Sequence, residues 1–489
     1  MVKKTMNEWL ADGDYVLTVT PYPTNFSTAA KLDRSKGPAE GHAESLNLPA
    51  MQTATLPNGL KLVVAERHSA PVVDFALLVN AGYSSDSPAM PGLASMATNM
   101  VDEGTAKRDS LKIGEELEGL GAELNTSVNL DGDFVNLNTL KATMPQALDI
   151  YADVILHPAF PQGDFARRQK DRLAAIAREK NTPQAMATRV LPELLFGKGH
   201  PYSFPLSGNG TEAAVAKMTR EDLVNYHKTW FKPNNATLLV VGDTTLAEVK
   251  PLVEKAFAGW AAGEVPKKNI TPVAQPEKSV VYLLDRPGSQ QSVIVAAQLA
   301  PPRNDADAIP LEMVNEIFGG NFAARINMNL REDKHWSYGV RSQLMNGVSQ
   351  RTFASFSPVQ TDKTRDAIAE LVKEYHGIAS SRPITAEELK DAQSNDTLGL
   401  PGSMETDSAV ARSYASILQY QLPADYYNTY TARVLALTPE QVNAEAKKAI
   451  QPDHLVWVIV GDMSKVEAGV RELNLGEVHK IDADGNTVK

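Results

Sequence analysis

Three segments of the chain repeat one pattern of hydrophobic and polar positions. Each has the end of a helix, a polar turn and an apolar run of β-branched character, and they span Trp9–Pro21, Trp230–Asp243 and Ala449–Asp462. Apolar runs of this length after a turn of Gly, Pro, Asn or Asp predict buried strands. Gly242 and Gly461, which end the second and third runs, are 461 − 242 = 219 residues apart. This spacing predicts two similar domains of about that length, because a repeated supersecondary unit indicates a repeated fold.

The repeat also sets the predicted domain boundaries. The first copy is left over once the two domains are assigned. Residues 1–50 are therefore interpreted as the remnant of a preceding domain, with a strand near 15–20, followed by a linker rich in Ser, Gly, Ala and Pro. A second linker, GEVPKKNITPVAQPEK, covers 263–278. The sequence therefore predicts a first domain at 51–262, a second domain at 279–475 and a tail at 476–489.

Within each predicted domain, strands and helices follow one another in a mixed order. The first domain has a hairpin pattern in TATLPNGLKLVV, then strand and helix patterns at Val72–Val79, Gly92–Val101, Leu111–Leu120 and Met144–Leu156. The second has strand patterns at Val280–Leu284 and Val293–Gln298, then a long helical stretch, Ala308–Leu330, interrupted at Gly319 and Gly320. The mixture predicts an α+β fold of two homologous α/β-roll domains, each a mixed sheet with helices on one face.

Composition narrows the chemistry that the chain could perform. With 48 Lys plus Arg against 59 Asp plus Glu, the net charge is −11, which disfavours nucleic acid as a partner. The absence of cysteine excludes disulfides, thiolate nucleophiles and thiolate metal sites. No apolar run reaches the roughly 18 residues of a membrane span, and polar residues such as Asn7 and Asp12 interrupt any secretory signal. No two of the nine histidines lie closer than 25 positions, so no helix carries two imidazoles one turn apart.

Two segments carry a resemblance to a known family. GLASMATNMVDEGT (Gly92–Thr105) and RINMNLREDKHWSYGV (Arg325–Val340) resemble landmarks of the insulinase and pitrilysin family of zinc metallopeptidases, which includes the mitochondrial processing peptidase. The likeness spans roughly residues 50–470 and includes HPAF, GHPYSFPLSG and WFKPNNATLLVVGD in order. It is greatest to the second half of long bacterial members, in which an inactive half follows an active one. The resemblance implies the metallohydrolase fold of the processing peptidases.

The resemblance also implies a zinc site that this chain has lost. Active members carry His-x-x-Glu-His on a helix, which places two metal ligands and a general base on one face. The corresponding positions here hold Ser95, Thr98 and Asn99, and the third ligand, a Glu roughly 75 residues further on, falls near Ala175. None of these side chains binds zinc well, so the resemblance predicts no metal and no catalytic residue within this chain alone, with zinc expected in a partner.

A second group of residues could still serve catalysis. Arg331 and Tyr338 match an Arg and Tyr pair that the family directs toward the scissile peptide, where a guanidinium and a phenol stabilise the developing oxyanion. The alternative is that Arg331 pairs with a neighbouring carboxylate and Tyr338 is an ordinary strand aromatic. Gly319 and Gly320 resemble a glycine pair near the substrate cavity, and a plain helix break is equally possible. The basic run at 167–172 is interpreted as a solvated helix face.

These observations support two hypotheses of different classes. In the first, the chain is the zinc-free half of a two-part metallopeptidase: it closes a peptide chamber with a His-x-x-Glu-His partner, admits unfolded peptide and lends Arg331 and Tyr338. In the second, it is a non-catalytic structural or peptide-binding subunit of a complex. Either way, we expect a peptidase-family protein that is inactive alone. Because long bacterial relatives are commonly envelope proteins, we expect a periplasmic location.

Overall fold

The computed structural model of the chain describes residues 4–5, 17–18 and 41–488. Residues 43–489 form one compact unit, and residues 1–42 belong to a separate one. The predicted remnant of a preceding domain falls almost entirely outside the described residues and stays a prediction; Leu17 and Thr18, which are described, are not in a strand. Within the described ranges, no helix is long and apolar enough to cross a membrane.

The compact unit is built around two six-stranded mixed sheets. The strands of the first sheet are β1 (Gln52–Thr55), β2 (Lys61–Glu66), β3 (Val72–Val79), β4 (Glu123–Val128), β5 (Asp133–Leu140) and β6 (Ala236–Gly242). The strands of the second are β7 (Val280–Asp285), β8 (Gln291–Ala300), β9 (Arg341–Met345), β10 (Arg351–Gln360), β11 (Val456–Gly461) and β12 (Glu477–Ile481). We call the two parts of the unit the first half and the second half, with the irregular segment 263–278 between them.

The strand order confirms the internal repeat. The first sheet runs β1-β2-β6-β3-β5-β4 and the second runs β12-β7-β11-β8-β10-β9. The repeated apolar runs form β6 and β11, and each lies between one parallel and one antiparallel neighbour. The outermost strands differ, because β1 pairs antiparallel with β2 whereas β12 pairs parallel with β7. The stretch 476–489, interpreted from the sequence as a tail, thus supplies an edge strand of the second sheet.

The helices lie between and after these strands. Those of the first half are α1 (Leu93–Thr98), α2 (Ser110–Gly119), α3 (Met144–Leu156), α4 (Gln162–Glu179), α5 (Pro183–Phe196), α6 (Glu212–Lys217), α7 (Arg220–Trp230) and α8 (Leu246–Ala256). Those of the second half are α9 (Ala308–Asn315), α10 (Arg325–Asn327), α11 (Thr364–His376), α12 (Ala386–Leu398), α13 (Leu400–Ser403), α14 (Asp407–Tyr420), α15 (Tyr426–Leu435), α16 (Pro439–Ala449) and α17 (Met463–Glu472).

The long helical stretch predicted at Ala308–Leu330 is broken more severely than the sequence indicated. The α-helix α9 ends at Asn315, and a π-helical turn follows at Glu316–Gly320. A second π-helical turn covers Met328–Asp333. The glycine pair allows this widening, because a Cβ at Gly319 would lie 2.6 Å from the Ser342 amide of β9. Such turns are rare and frequently accompany functional residues.

The two halves exchange one helix each. The helices of each half cover one face of its sheet, as predicted, and the opposite face, which we call the back face, receives a helix from the other half. Helix α5 packs on β8 and β11 of the second sheet, and α14 packs on β3 and β6 of the first. Apolar side chains such as Leu191 of α5 and Val295 of β8 share one buried cluster. This exchange explains why residues 43–489 form a single compact unit.

Candidate functional site

The helix that aligns with the family's zinc helix is held in place at its beginning. Gly92, with φ 97°, precedes α1 and approaches the Asn209 carbonyl so closely that a Cβ there would lie 2.8 Å from it. The buried carboxyl of Asp86 accepts hydrogen bonds from the amides of Gly92 at 2.7 Å and Ala94 at 2.8 Å. These contacts satisfy backbone donors that a short helix leaves free at its N-terminus.

In the structure, the residues at the predicted zinc positions lie close together, and the side chains of Ser95 and Asn99 form hydrogen bonds with other protein groups. Ser95 is buried, and its hydroxyl accepts a hydrogen bond from Nη1 of Arg172 at 2.9 Å. Asn99 Oδ1 accepts from the Thr126 hydroxyl of β4 at 3.3 Å. Thr98 is completely buried, where a charged base would have no contact with water. Ala175 lies on α4, three residues after Arg172, so α1 and α4 meet as the resemblance implies.

A half-buried arginine, Arg172, lies among these positions. Besides Ser95, Arg172 Nη1 donates to Asn209 Oδ1 at 2.7 Å and to the Gly208 carbonyl at 3.2 Å. Burial lowers the pKa of Arg172, but a guanidinium stays charged at any working pH. A second cation beside this charge would be repelled, and the groups that accept its hydrogen bonds include no imidazole and no carboxylate. The residues at this place therefore do not fit a zinc ion.

Nothing else in the described part of the chain replaces the lost site. Across residues 41–488 and the two short described stretches, no three His, Asp or Glu side chains group so that they could hold a metal ion. Among the described residues, α1 and α4 therefore offer no set of ligands for a metal ion.

Two buried carboxyls lie behind α1. Asp133 of β5 accepts hydrogen bonds from the Tyr226 hydroxyl at 2.7 Å and the Gly82 amide at 3.1 Å. Burial raises the pKa of Asp133 to about 7. Burial also raises the pKa of Asp86 to about 8, although the Ala94 and Gly92 amides oppose the shift. Two carboxyls in the interior of the first half therefore have pKa values near neutral pH, and the sequence analysis did not predict them.

In the second half, Arg331 lies on the π-helical turn and is half-buried. Its guanidinium carbon stands 4.5 Å from the ring centroid of Phe322, a cation–π contact, and its Nε lies 3.5 Å from Glu332 Oε1. Phe322 is itself 60% exposed. The aromatic face therefore orients the guanidinium, while the ion pair to Glu332 is long and partly screened by solvent.

Tyr338 has the highest exposure of the large hydrophobic side chains in the described part of the chain. Its relative exposure is 90%, and its hydroxyl has no hydrogen-bond partner within the described part of the chain. The π-helical turn before it ends at Asp333, and His335, two residues further on, has a φ of 58°, which is unusual for a residue other than glycine and signals local strain. His335 points its Nδ1 at the Arg331 carbonyl, 3.1 Å away. Tyr338 is not part of a strand, as the alternative interpretation required, and it lies five residues beyond the end of the turn that carries Arg331 and outside the cavity described below.

The glycine pair has a packing role. Gly319 is buried against Ser342 of β9, with no space for a side chain. The structure thus accounts for a helix break at this point, and a role of Gly319 or Gly320 toward substrate stays a prediction.

Sequence reasoning missed two residues. Arg172 belongs to the basic run that was interpreted as a solvated helix face; this is correct for Arg167 and Arg168, which pair with Glu103 at the surface, and wrong for Arg172. Arg172 lies four residues after Arg168, so the two side chains share one side of α4. This spacing was only a weak sequence signal that Arg172 has a different environment from the rest of the basic run. Phe322 was missed because an aromatic residue after a glycine pair carries no specific signature.

Comparison with known proteins agrees with this geometry. The family model described as insulinase, peptidase family M16, matches residues 61–204, and the model described as the peptidase M16 inactive domain matches 217–395. YmxG of Bacillus subtilis, an uncharacterized zinc protease, is 21% identical over 409 residues, which cover 83% of this chain and 97% of that protein.

Solved structures extend the comparison. The crystal structure of a peptidase M16 inactive domain from Pseudomonas fluorescens has a TM-score of 0.78 and 26% identity, and the match covers 84% of this chain and 98% of that one. The periplasmic protease PqqL from Escherichia coli has a TM-score of 0.69 and 15% identity over 91% of this chain and 52% of that one, which shows a shared fold. This chain belongs to the insulinase family of peptidases, family M16.

Proposed function

We propose that this chain is the zinc-free half of a two-part metallopeptidase. It closes a peptide chamber with a homologous partner that carries His-x-x-Glu-His, and it lends Arg331 and Tyr338 to that partner's site. The observation that carries the proposal is the state of these two side chains: Tyr338 is 90% exposed, and Arg331 rests on Phe322 with only a long ion pair. Their donors are available to a group from outside the chain.

The chemistry of the two residues suits this role. A guanidinium presents forked N–H donors to a peptide carbonyl and stays charged throughout the working pH range. A phenol donates one hydrogen bond, which strengthens as negative charge grows on the carbonyl oxygen during attack. Phe322 acts as a positioning residue, since it limits the directions that the Arg331 side chain can take. The zinc-bearing partner would supply the activated water, and this chain supplies charge stabilisation and half of the chamber.

The comparison with PqqL also supports a proposal for the location and the partner of this chain. PqqL is described as a periplasmic protease, and this chain spans about half its length. We therefore propose a periplasmic site of action and a partner subunit or half of the same fold, with an unfolded peptide as substrate.

The test is reconstitution from separately purified subunits. The chain is assayed alone and after mixing with a homologous subunit that carries His-x-x-Glu-His, with an unfolded fluorogenic peptide as substrate. We expect no turnover by the chain alone and a large gain on mixing. Arg331→Ala should lower kcat/KM of the pair by about 10²-fold, the magnitude typical of a lost oxyanion donor, and Tyr338→Phe by about tenfold. Arg365→Ala, an exposed arginine of α11 that pairs with Asp366 and Glu472, is the matched control.

Two results would contradict the proposal. Full turnover by the zinc-bearing subunit alone would remove the need for a complementing half. A complex that forms and cleaves equally well with wild-type chain and with Arg331→Ala would favour the second hypothesis, a structural or peptide-binding subunit.

A further inference from the structure

A large polar cavity lies on the back face of the first sheet, remote from α1. Its volume is about 720 Å³, and it is bounded by β3, β4, β5 and the exchanged helix α14. Alternate residues of a strand point to opposite faces, so Asn125 and Ser127 face the cavity while Thr126, between them, bonds Asn99 of α1. The volume is within the range of roughly 300–1,000 Å³ typical of ligand pockets.

Carboxamides line the sheet side of this cavity together with the carboxylates of Asp74 and Glu123. Asn136 and Asn138 alternate on β5, and Asn125 of β4 is the register partner of Asn136. Asn136 Nδ2 donates to Asn125 Oδ1 at 3.1 Å, and Asn138 Nδ2 donates to Asp74 Oδ2 at 3.1 Å. Within the described part of the chain, Asn125 Nδ2, Asn136 Oδ1 and Asn138 Oδ1 have no partner, so donors and acceptors remain available.

The helix side of the cavity carries small side chains and one charged one. Ala411, Ala415 and Ser416 of α14 line its middle, and the exposed Arg412 also lines it. At one end, Asn129 and Gln419 exchange two hydrogen bonds, of 3.1 and 2.8 Å, and connect the loop after β4 to α14. These contacts fix the width of the cavity without filling it.

We propose that this cavity binds an extended, uncharged segment of polypeptide through its main chain. A carboxamide carries the same N–H and C=O groups as a peptide bond, so it can pair with a peptide of any sequence. Asn136 and Asn138 are two residues apart on one strand, a spacing of about 6.8 Å, which equals the two-residue repeat of an extended peptide. The small side chains of α14 leave room for that peptide. The inference rests on the proposed function for the source of the peptide, and it adds a site on the far side of the sheet from α1.

The aromatic residues of the cavity argue against a carbohydrate. Sugar rings bind by stacking on exposed aromatic faces, whereas Tyr420 is buried in the neighbouring core and Phe134 packs against it. Their rings are therefore not available as platforms.

The binding test uses the purified full chain without a partner. The probe is a fluorescein-labelled decapeptide of Ser, Thr, Gln and Val with capped termini, followed by fluorescence anisotropy. Asn136→Leu preserves side-chain size and removes the polar atoms, and Ser416→Trp fills the cavity from α14. We expect each to raise Kd at least tenfold. Asn225→Leu, on the exposed side of α7, makes the same chemical change elsewhere and should leave Kd within twofold.

The outcomes separate this inference from the proposed function. Unchanged peptide affinity in folded Asn136→Leu and Ser416→Trp would overturn the inference, as would binding of maltoheptaose in place of the peptide. Loss of peptide binding in both variants would support it even if reconstitution with a zinc-bearing subunit failed, because the assay needs no partner. Conversely, a successful reconstitution that depends on Arg331 would stand if both cavity variants bound peptide normally.

Discussion

The two halves share one strand order but use their back faces differently. In the second half, α5 seals the sheet with apolar side chains, including Leu191 and Leu195 against Val295 and Val458. In the first half, α14 covers β3 and β6, while the part of the sheet formed by β4 and β5 faces a polar cavity of about 720 Å³. The two halves therefore share the exchanged helix but differ in the side chains between that helix and the sheet. The apolar back face of the second half contributes to stability, and the polar back face of the first half leaves a cavity for the proposed peptide.

A second difference concerns charge. The first half has a half-buried arginine, Arg172, beside the predicted zinc positions, and the second half has another, Arg331, on a π-helical turn. Nη1 of Arg172 donates to Ser95, Asn209 and Gly208, whereas the guanidinium of Arg331 contacts the Phe322 ring and lies 3.5 Å from Glu332. The two arginines therefore differ in their partners and not in residue type.

The sharpest test of the back-face comparison is a pair of truncations on the exchanged helices. Leu191→Ala in α5 removes a side chain that is 1% exposed and should lower the free energy of unfolding by about 2–5 kcal/mol. Ser416→Ala in α14 changes a cavity wall with no hydrogen bond and should cost less than about 0.5 kcal/mol. Urea unfolding monitored by tryptophan fluorescence measures both. Equal losses would show that the two back faces are packed alike.

The comparison of the arginines predicts a smaller loss of unfolding free energy. Arg172→Ala leaves the Ser95 hydroxyl and the Asn209 and Gly208 oxygens without their donor, which should cost about 2–3 kcal/mol of unfolding free energy. The exposed Arg365→Ala should cost less than about 0.5 kcal/mol.

The same arginine can be tested for its effect on metal binding. We expect the variant Ser95→His, Thr98→Glu, Asn99→His, Ala175→Glu to take up zinc only when Arg172→Ala is added, with about one zinc per chain by atomic absorption. About one zinc per chain in the variant that retains Arg172 would disprove the hypothesis that the charge of Arg172 prevents zinc binding.

The buried carboxyls Asp86 and Asp133 predict a pH dependence of the free energy of unfolding. Their pKa values are raised by burial, to about 8 for Asp86 and about 7 for Asp133, so the folded chain holds protons that the unfolded chain releases near pH 4. The contribution of each carboxyl to stability is therefore fully present below about pH 4 and is lost as the pH rises toward its folded pKa, at about 1.4 kcal/mol per pH unit and per group. Asp133→Asn should roughly halve the part of the fall in the urea midpoint between pH 5 and 7 that these two groups cause, because Asp86 still titrates, and the exposed Asp366→Asn of the second half should leave that fall unchanged. A midpoint that rises with pH in the wild-type chain would reverse the assignment.

The local pattern of the sequence predicted the elements closely. Strand β3 and helix α3 have their predicted bounds, and the repeat of β6 and β11 gave the two-sheet architecture. These features are predictable because strand and helix periods depend on residues within one or two turns of one another. That Ser95 and Asn99 offer no imidazole follows from residue type alone.

The sequence by itself thus determined the repeated α+β fold, the family and the loss of the zinc ligands. The tertiary structure alone decided the exchange of α5 and α14, the partners of Arg172, the stacking of Phe322 on Arg331 and the polar cavity. Each of these depends on contacts between segments distant in the chain or on neighbours brought together by a turn; the Arg172 to Ser95 hydrogen bond spans 77 positions. Arg172 and Arg331 are both half-buried, and only the partners that the fold brings to them distinguish their roles.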